Sequence, residues 1–440
     1  MKNTIFFSDE NKQFQKLKPL EFEYNPTAEW KTLNIHTDLR FQQIYGFGGA
    51  FTEAAAITFS KMSQNTKDEF IKLAFDKNTG LGYNFCRSTI NSCDFSASEY
   101  TYVDDNDEDL KSFDISHDKK DIIPMIKAAK NACDDLFLLS SPWSPPDWMK
   151  DNNTMIEGGK LKHEYYGVWA DYFVKFVSEY KKAGVDVNAV TIQNEPMAAQ
   201  TWESCQYTID EQIEFAKNYL HPAFLKADLD TKIFIWDHNK EHVYEVARAI
   251  KKVKDADKSI YGIAFHWYSG EHFDGLTFAH ETAPNLKLIA SEFCHGGLKP
   301  IWNNALKYAF DISGNLNNFM SASCDWNILL DENGGPYNNR STPCQAVMHY
   351  DTKSDKITIM PQYYAVKHFS YFIKKGAVRL GTSTYSGLTG ISAFKNPNGE
   401  IVAVITCKEE TEQKCILRFD DYAADIIIKP KSIMTIVINK

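Results

Sequence analysis

Two glutamates each follow a short apolar segment typical of a buried β-strand. Glu195 comes after the segment 190–192 and directly precedes a proline, and Glu292 comes after the segment 288–290. A carboxylate at the carboxyl end of a buried strand is costly unless it faces a polar cavity. Most glycosidases cut glycosidic bonds with two carboxyl groups placed around the sugar. The two glutamates therefore predict glycoside hydrolysis, provided that the fold brings them together.

The elements that would position these glutamates alternate between strand-like and helical segments. Amphipathic helical patterns cover 66–75, 122–132, 166–183, 209–226 and 243–253. Eight strands with intervening helices predict a (β/α)8 TIM barrel over residues 41–375. The eight strand-like segments are 46–51, 83–87, 136–140, the segment that leads into Glu195, 232–237, 262–266, the segment that leads into Glu292, and 323–327.

The residues outside the barrel have a different pattern, with short strands separated by turns. The turn at 396–399 lies between two apolar segments, 390–394 and 401–405, which predicts a β-hairpin. Strands are also expected at 415–419 and 432–438. Residues 20–39 are strand-like as well, so residues 1–40 are expected to join residues 376–440 in a smaller β-sandwich domain.

Reactive and sugar-binding side chains follow all eight predicted strands. In a parallel barrel the carboxyl ends of the strands open on one face, so these side chains are expected to share one cavity. A nucleophilic carboxylate must stay ionised, and donors such as Arg87 or Tyr268 would help it do so. The side chains concerned are Glu53, Arg87, Asp94, Trp143, Trp148, Asn194, Glu195, Asp237, His238, His266, Trp267, Tyr268, Glu292, Trp326 and Asn327.

Composition and charge limit the classes of partner and the cellular location that can be expected for the protein. The formal net charge of −10 makes nucleic acid an unfavourable partner. No segment approaches the roughly 20 apolar residues that a membrane-spanning helix needs. The apolar stretch 5–7 is too short for the core of a secretory signal, and the nine cysteines show no paired spacing. We therefore expect reduced thiols and a cytoplasmic location.

Seven motifs, in order along nearly the whole chain, resemble those of glycoside hydrolase family 30, and most closely its glucosylceramidase-type members. The resemblance implies a (β/α)8 barrel with a side β-sandwich built from both chain ends, and a reaction that retains the anomeric configuration. The motifs are 47–53 (FGGAFTE), 92–96 (SCDFS), 141–146 (SPWSPP), 193–196 (QNEP), 266–268 (HWY), 291–292 (SE) and 325–327 (DWN).

The same resemblance implies roles for individual residues. Glu195 matches the acid/base after strand four, and Glu292 matches the nucleophile after strand seven. Asp94, Trp148 and Trp326 match positions that hold the terminal glucosyl unit. Residues around the nucleophile are matched by Arg87, Asn194, His266 and Tyr268.

The chain departs from the family pattern after strand eight. Members usually have Gly-Gly-Pro-Asn there, whereas this chain has Gly-Gly-Pro-Tyr, followed by Asn338. Asn338 is therefore a candidate for the missing sugar contact only if the loop is shifted.

The expected activity is exo-acting release of a β-linked glucosyl unit, without a cofactor, because carboxyl groups supply acid, base and nucleophile. Glucosylceramide, which would place the chain in sphingolipid metabolism, β-1,6-linked glucan fragments and small plant glucosides all fit as substrates. The alternatives are a β-xylosidase, a β-fucosidase or a non-catalytic carbohydrate-binding protein.

A zinc site is the rival interpretation of His238 and His242, which fit a His-x-x-Glu-His pattern. That motif requires a helix that places both histidines on one face. Here it directly follows a predicted strand, so we expect no metal. Cys294, two residues after Glu292, is expected to be a packed thiol because no adjacent base would activate it.

Overall fold

Eight parallel strands close into a barrel in the computed structural model, which describes residues 1–439. Each strand pairs with the next along the chain, and the eighth pairs with the first. The predicted TIM barrel is therefore confirmed. In chain order its strands are Gly46–Phe51, Phe85–Ile90, Phe137–Pro142, Ala189–Thr191, Lys232–Asn239, Gly262–His266, Lys287–Glu292 and Met320–Asn327.

The strands are joined through helices that place apolar faces against the barrel. Several helices have side-chain caps; Thr208 and Glu211, for example, form a capping box. The α-helices are Glu53–Ser60, Gln64–Phe75, Ser116–Lys120, Ile122–Ala132, Tyr166–Lys182, Ile209–Glu214, His221–Lys226, Val243–Lys252, Ala256–Ser259, Phe273–Thr282, Trp302–Asn317 and Pro361–Ser370. A π-helical segment, Phe215–Leu220, and three 3-10 turns, Asp147–Met149, His163–Tyr165 and Lys240–His242, complete the set.

The inside of the barrel is filled with side chains below the open face. Phe85, Leu139, Phe234 and Ile289 come from four different strands and pack in one buried cluster. The first strand approaches its neighbour too closely for a side chain at Gly48, where a Cβ atom would lie 1.7 Å from the carbonyl oxygen of Phe85. The barrel is thus closed at its centre, and side chains at the carboxyl ends of the strands form the floor of whatever cavity lies above.

A second, ten-stranded sheet is built from both chain ends. The first strand of the chain pairs antiparallel with the last, from Lys2 opposite Asn439 to Ser8 opposite Ile433. The predicted hairpin is present, with Thr389–Lys395 antiparallel to Ile401–Cys407. The strands of this sheet are Lys2–Ser8, Gln15–Leu17, Glu23–Tyr24, Thr32–Gln43, Val378–Thr384, Thr389–Lys395, Ile401–Cys407, Gln413–Phe419, Tyr422–Ile428 and Ser432–Asn439.

Buried polar contacts join this sheet to the barrel. His368, on the last helix of the barrel, lies between the hydroxyls of Ser8 and Thr435 at 2.9 and 2.8 Å. The hydroxyls of Ser313 and Ser392 lie 2.6 Å apart across the same boundary. The two parts therefore pack firmly against each other.

A small third sheet positions the loop that follows the eighth barrel strand. Its three strands are Leu330–Asp331, Met348–Asp351 and Lys356–Ile359. The loop between the first two of them returns over the open face of the barrel, where it contributes to the cavity described below. Among residues 1–439, no helix combines the length and the apolar character needed to span a membrane.

Candidate active site

Glu195 and Glu292 meet at the open face of the barrel. Glu292 is the last residue of the seventh strand, and Glu195 lies just beyond the fourth strand with a left-handed backbone, φ 45°. One carboxylate oxygen of each lies within 4.8 Å of the other, and within the same distance of a ring nitrogen of His266. Retaining glycosidases hold their two carboxyl groups about 5–5.5 Å apart. A separation of at most 4.8 Å between oxygens of this pair is compatible with that arrangement.

Arg87, on the second barrel strand, connects the residues beneath the two glutamates. Its guanidinium donates to Glu292 at 2.8 Å, to Asp237 at 2.7 Å and to the side-chain oxygen of Asn194 at 2.9 Å. The side chain is fully buried and lies over the rings of Trp143 and Trp326. A buried guanidinium needs carboxylate partners of this kind, and its charge favours the ionised form of both carboxylates.

Asp237 is a part of the site to which the sequence analysis assigned no role. Its fully buried carboxylate accepts from Arg87, from Thr191 at 2.6 Å and from Ser291, and it lies 3.1 Å from Nε2 of His266. Burial would raise the pKa of Asp237, but the charge of Arg87 and the contact with His266 lower it well below its usual value. The sequence feature that could have indicated a role for Asp237 is its position at the end of the predicted fifth strand.

Glu195 and His266 form a closely coupled pair. Nδ1 of His266 lies 3.2 Å from a Glu195 oxygen, and Gln200 donates to the other oxygen at 3.4 Å. Burial opposes a charge on His266, yet the neighbouring carboxylates, Glu292 foremost, raise its pKa to about 9. The pKa of Glu195 is lowered, because the contact with His266 outweighs its burial. At neutral pH the pair therefore holds one proton, which lies mainly on the imidazole in the free site.

Glu292 is held by two donors, one on the second barrel strand and one just beyond the sixth. Arg87 donates to one carboxylate oxygen, and the hydroxyl of Tyr268 donates to the other at 3.0 Å. The pKa of Glu292 is raised, because burial outweighs the attraction of His266 and Arg87. The donors nevertheless fix the orientation of the carboxylate toward the cavity.

The cavity above the glutamates has a volume of about 420 Å³, a size that suits a small ligand. Four of the predicted sugar-binding or positioning residues line it together with the glutamates, namely Asp94, Asn194, Tyr268 and Trp326. Trp143 and His238, which were expected to share this cavity as strand-end side chains, line it as well. The remaining lining residues, which no sequence pattern indicated as ligand contacts, are Gln200, Trp202, Asn239, Cys294, His295, Gly296, Arg340 and Cys344.

Four predicted binding residues do not line this cavity: Arg87 and His266, which contact the two glutamates, and Trp148 and Asn338, which lie apart from them. Trp148 is 8% exposed and packs edge-on against Tyr165. Asn338 points its amide at the backbone oxygens of Cys93, at 3.0 Å, and Ser96, at 3.4 Å. The loop after the eighth strand therefore uses Asn338 to tie itself to a neighbouring loop rather than to face the cavity.

Arg340, two residues further along that loop, reaches the cavity instead. Its guanidinium forms an ion pair with Asp94 and lies between the rings of Phe95 and Trp202, 4.9 and 5.3 Å from their centres. Burial raises the pKa of Asp94 to about 7 even though Arg340 opposes this shift. No local pattern marked Arg340, because its contacts depend on the path of the loop.

The segment around His238 and His242 does not form the helix that a zinc motif requires. His238 lies in the fifth barrel strand, and His242 ends a short 3-10 turn before the helix that begins at Val243. Only His238 lines the cavity, and the ring of His242 packs edge-on against Trp236. The one group of potential metal ligands found in residues 1–439 is Glu195, His266 and Glu292, and its two carboxylates already contact His266 and Arg87.

Comparisons with known proteins agree with this arrangement. The sequence matches the glycosyl hydrolase family 30 TIM-barrel domain over residues 44–373 and the β-sandwich domain of the same family over residues 376–436. The lysosomal acid glucosylceramidase of Mus musculus is 32% identical over 87% of this chain and 78% of its own. The endo-1,6-β-D-glucanase of Neurospora crassa is 30% identical over 87% of this chain and 82% of its own.

Two solved structures are similar over the whole chain. SrfJ from Salmonella typhimurium superposes with a TM-score of 0.97 at 33% identity, and the match covers 100% of both chains. An endo-β1,6-glucanase superposes with a TM-score of 0.89 at 26% identity, covering 100% of this chain and 99% of that one.

Proposed function

The chain belongs to glycosyl hydrolase family 30 and is a glycosidase, and on that basis we propose that it releases β-linked glucosyl units with retention of configuration. The observation that carries this proposal is the separation of Glu195 and Glu292, whose nearest oxygens lie within 4.8 Å. This separation is shorter than the roughly 6.5–9.5 Å at which inverting enzymes hold their carboxyl groups to admit a water molecule, and it therefore supports retention.

Glu292 is the nucleophile of the proposed reaction. Its carboxylate attacks the anomeric carbon while the bond to the leaving oxygen breaks, and Glu195 gives that oxygen a proton. The glycosyl ester on Glu292 is then hydrolysed by water, from which Glu195 takes a proton back. Both carboxyl groups regain their starting states, so no cofactor is needed.

The Glu195–His266 pair supplies the proton. In the free site the raised pKa of His266 places the proton mainly on the imidazole, 3.2 Å from Glu195. Glu292 is the largest favourable influence on that pKa, and it loses its charge as the ester forms. The pair therefore becomes more acidic as the leaving oxygen requires a proton, which is the direction that acid catalysis needs.

Arg87, Tyr268 and Asn194 prepare the nucleophile and the sugar. Arg87 and Tyr268 hold one Glu292 oxygen each. Asn194 accepts from Arg87 through its side-chain oxygen, so its amide nitrogen remains to donate to the sugar. A hydrogen bond to the sugar 2-hydroxyl at this place would strengthen in the transition state.

The terminal sugar is proposed to be glucose, with Asp94 and Trp326 in contact with it. Both line the cavity, and Arg340 gives the carboxylate of Asp94 a fixed orientation. The mouse relative is named a glucosylceramidase, which supports a β-glucosyl lipid as one substrate class and a place in sphingolipid metabolism. The cytoplasmic location remains a prediction.

An endo-acting β-1,6-glucanase is the second candidate. Relatives that carry this name include the Neurospora crassa enzyme, at 30% identity, and the solved structure, at 26% identity. The two candidates share the chemistry and differ only in whether the chain of the substrate extends beyond the cavity on both sides.

Two measurements test the proposal. Proton NMR of p-nitrophenyl β-glucoside hydrolysis should show β-glucose as the first product, and Glu292→Gln should lower kcat on the order of 10⁴-fold or more. A first product of α-configuration would overturn retention. With a β-1,6-glucan oligomer labelled at its reducing end, early products that are only glucose and the labelled oligomer shortened by one unit support exo action, whereas early labelled oligomers shortened by several units, together with unlabelled fragments of two or more units, support the endo candidate.

A further inference from the structure

Two thiols lie side by side in the wall of the cavity. Cys294 and Cys344 both line it, and their sulfurs are 3.7 Å apart. All nine cysteines are free, and Cys294 is the only one with appreciable exposure, because the other eight are buried. A reagent that enters the cavity would therefore meet this pair before any other thiol.

The backbone around the pair holds the two thiols against each other. Cys294 follows the seventh strand, and Cys344 lies in the loop that follows the eighth. A short antiparallel contact joins Gly296 to Cys344, with Gln345 donating to the carbonyl of His295 at 2.8 Å. The two sulfurs thus sit on the same side of paired segments that lie outside the barrel strands. A disulfide needs a sulfur separation of about 2.0 Å, so the sulfurs must approach by about 1.7 Å.

Each thiol also contacts a residue that serves the proposed reaction. The Tyr268 hydroxyl, which donates to Glu292, lies 3.3 Å from the sulfur of Cys294. Arg340, which is paired with Asp94, donates to the sulfur of Cys344 at 3.4 Å. A continuous chain of polar contacts therefore runs along the wall, from the proposed nucleophile through both thiols to the sugar-binding carboxylate.

We propose that Cys294 and Cys344 form a thiol-modification site, at which a two-electron oxidant of the peroxide or diazene class closes a disulfide that stops glycoside cleavage. The two thiols lose two protons and two electrons in all, and a sulfur–sulfur bond forms. Hydrogen peroxide is reduced to two molecules of water, or the nitrogen–nitrogen double bond of a diazene is reduced to a hydrazine.

The loss of activity follows from the movement of the sulfurs. Drawing them together by about 1.7 Å shifts the sulfurs from the positions at which Cys344 contacts Arg340 and Cys294 contacts Tyr268. The bond also removes the hydrogen that Cys294 donates to Cys344. Tyr268 and Arg340 then lose the neighbours that hold them beside Glu292 and Asp94, so nucleophile and sugar are no longer aligned.

The test uses diamide, a diazene that forms disulfides, on the full-length wild type and on Cys344→Ser. Serine keeps an oxygen to accept from Arg340 but cannot form the disulfide. Cys133→Ser is the matched control, because its buried thiol contacts Asp135 at 3.4 Å, before the third barrel strand and outside the cavity. Each rate of aryl β-glucoside cleavage is compared with that of the same protein before treatment.

Treated wild type and Cys133→Ser should lose about tenfold or more in kcat/KM and recover with dithiothreitol, and peptide mapping should find the Cys294–Cys344 cross-link. Cys344→Ser should keep its own untreated rate. Absence of the cross-link, a cross-link without loss of activity, or an equal loss in Cys344→Ser would each overturn the proposal. Only the rate readout rests on the proposed function; if untreated protein cleaves no β-glycoside, that function fails and the mapping alone decides the site.

Discussion

The cavity has two ends, a floor and a wall, whose charged side chains are held in different ways. At its floor, Arg87 lies fully buried between Asp237 and Glu292, and all three side chains come from barrel strands. At its wall, Arg340 pairs with Asp94, both from loops, and the Arg340 side chain keeps 14% of its surface exposed. Each end thus has an arginine and at least one carboxylate, but only the floor is built on the rigid framework of the barrel.

The difference appears in how the two aspartates respond to burial. At the floor, Arg87 and His266 overcome burial and hold the pKa of Asp237 well below its usual value. At the wall, burial prevails over Arg340 and raises the pKa of Asp94 to about 7. The floor therefore carries fixed charges suited to bond cleavage, whereas the wall carries an adjustable pair suited to recognising a sugar.

Replacing each of the two arginines should give the largest difference between floor and wall, measured as the loss of unfolding free energy. We expect Arg87→Met to lower the free energy of unfolding by about 3–5 kcal/mol and to abolish activity, because two buried carboxylates lose their counter-charge. Arg340→Met should cost less, since Asp94 can take up a proton near neutral pH. Urea unfolding at pH 7 measures both values. Equal losses of stability would contradict the distinction between the two ends.

Glu195→Gln tests the proton donor at the floor. General acid catalysis is typically worth about 10²–10⁴-fold, so kcat/KM for an alkyl β-glucoside should fall within that range. A 2,4-dinitrophenyl β-glucoside should be much less affected at the glycosylation step, because its leaving group needs no proton. The measurement is the dependence of kcat/KM on leaving-group pKa. An equal loss on both substrates would argue against Glu195 as the acid.

His266 should make stability depend on pH in a defined window. Its pKa is about 9 in the folded protein and about 6.5 when unfolded, so its contribution is complete below pH 6.5 and is lost as pH rises toward 9. The total loss should be on the order of 3 kcal/mol. Urea unfolding of wild type and His266→Gln at pH 6, 7.5 and 9 measures it.

The comparison with His266→Gln is needed because Asp94 and Asp325, whose pKa values are raised to about 7 and about 8, titrate in the same window. Their contribution is expected in both proteins and cancels in the difference. A difference between wild type and variant that stays constant from pH 6 to 9 would contradict the charged state assigned to His266.

The floor could be predicted from sequence far better than the wall. Each floor residue directly ends or follows an apolar segment, and parallel strands in a barrel bring such positions together whatever the helices between them do. This regularity indicated Glu195, Glu292 and Arg87 before any coordinates. It also marked Asp237 as a strand-end residue, although the four hydrogen-bonding neighbours that make it important come from other strands.

The wall depends on contacts that no local pattern contains. Arg340 and Asp94 are 246 positions apart, and they meet because the small third sheet and the amide of Asn338 direct the loop. The first strand of the chain, Lys2–Ser8, was not predicted individually, for a related reason, although residues 1–40 were expected to join the smaller domain. Its partner, Ser432–Asn439, lies at the opposite end of the chain. A segment of seven residues has too little periodicity to predict a strand without that partner.

The smallest expected effect concerns sugar recognition at the wall. Asp94→Ala should lower kcat/KM for a β-glucoside about tenfold more than for the matching β-xyloside, because xylose lacks the hydroxymethyl group that the carboxylate is proposed to bind. Arg340→Gln should show the same preference more weakly, since glutamine can still donate to Asp94 but carries no charge. Paired p-nitrophenyl substrates give the ratio directly. Equal losses of kcat/KM on both substrates would mean that Asp94 stabilises the cavity without recognising the hydroxymethyl group. Recognition of the sugar would then be assigned to residues of the floor.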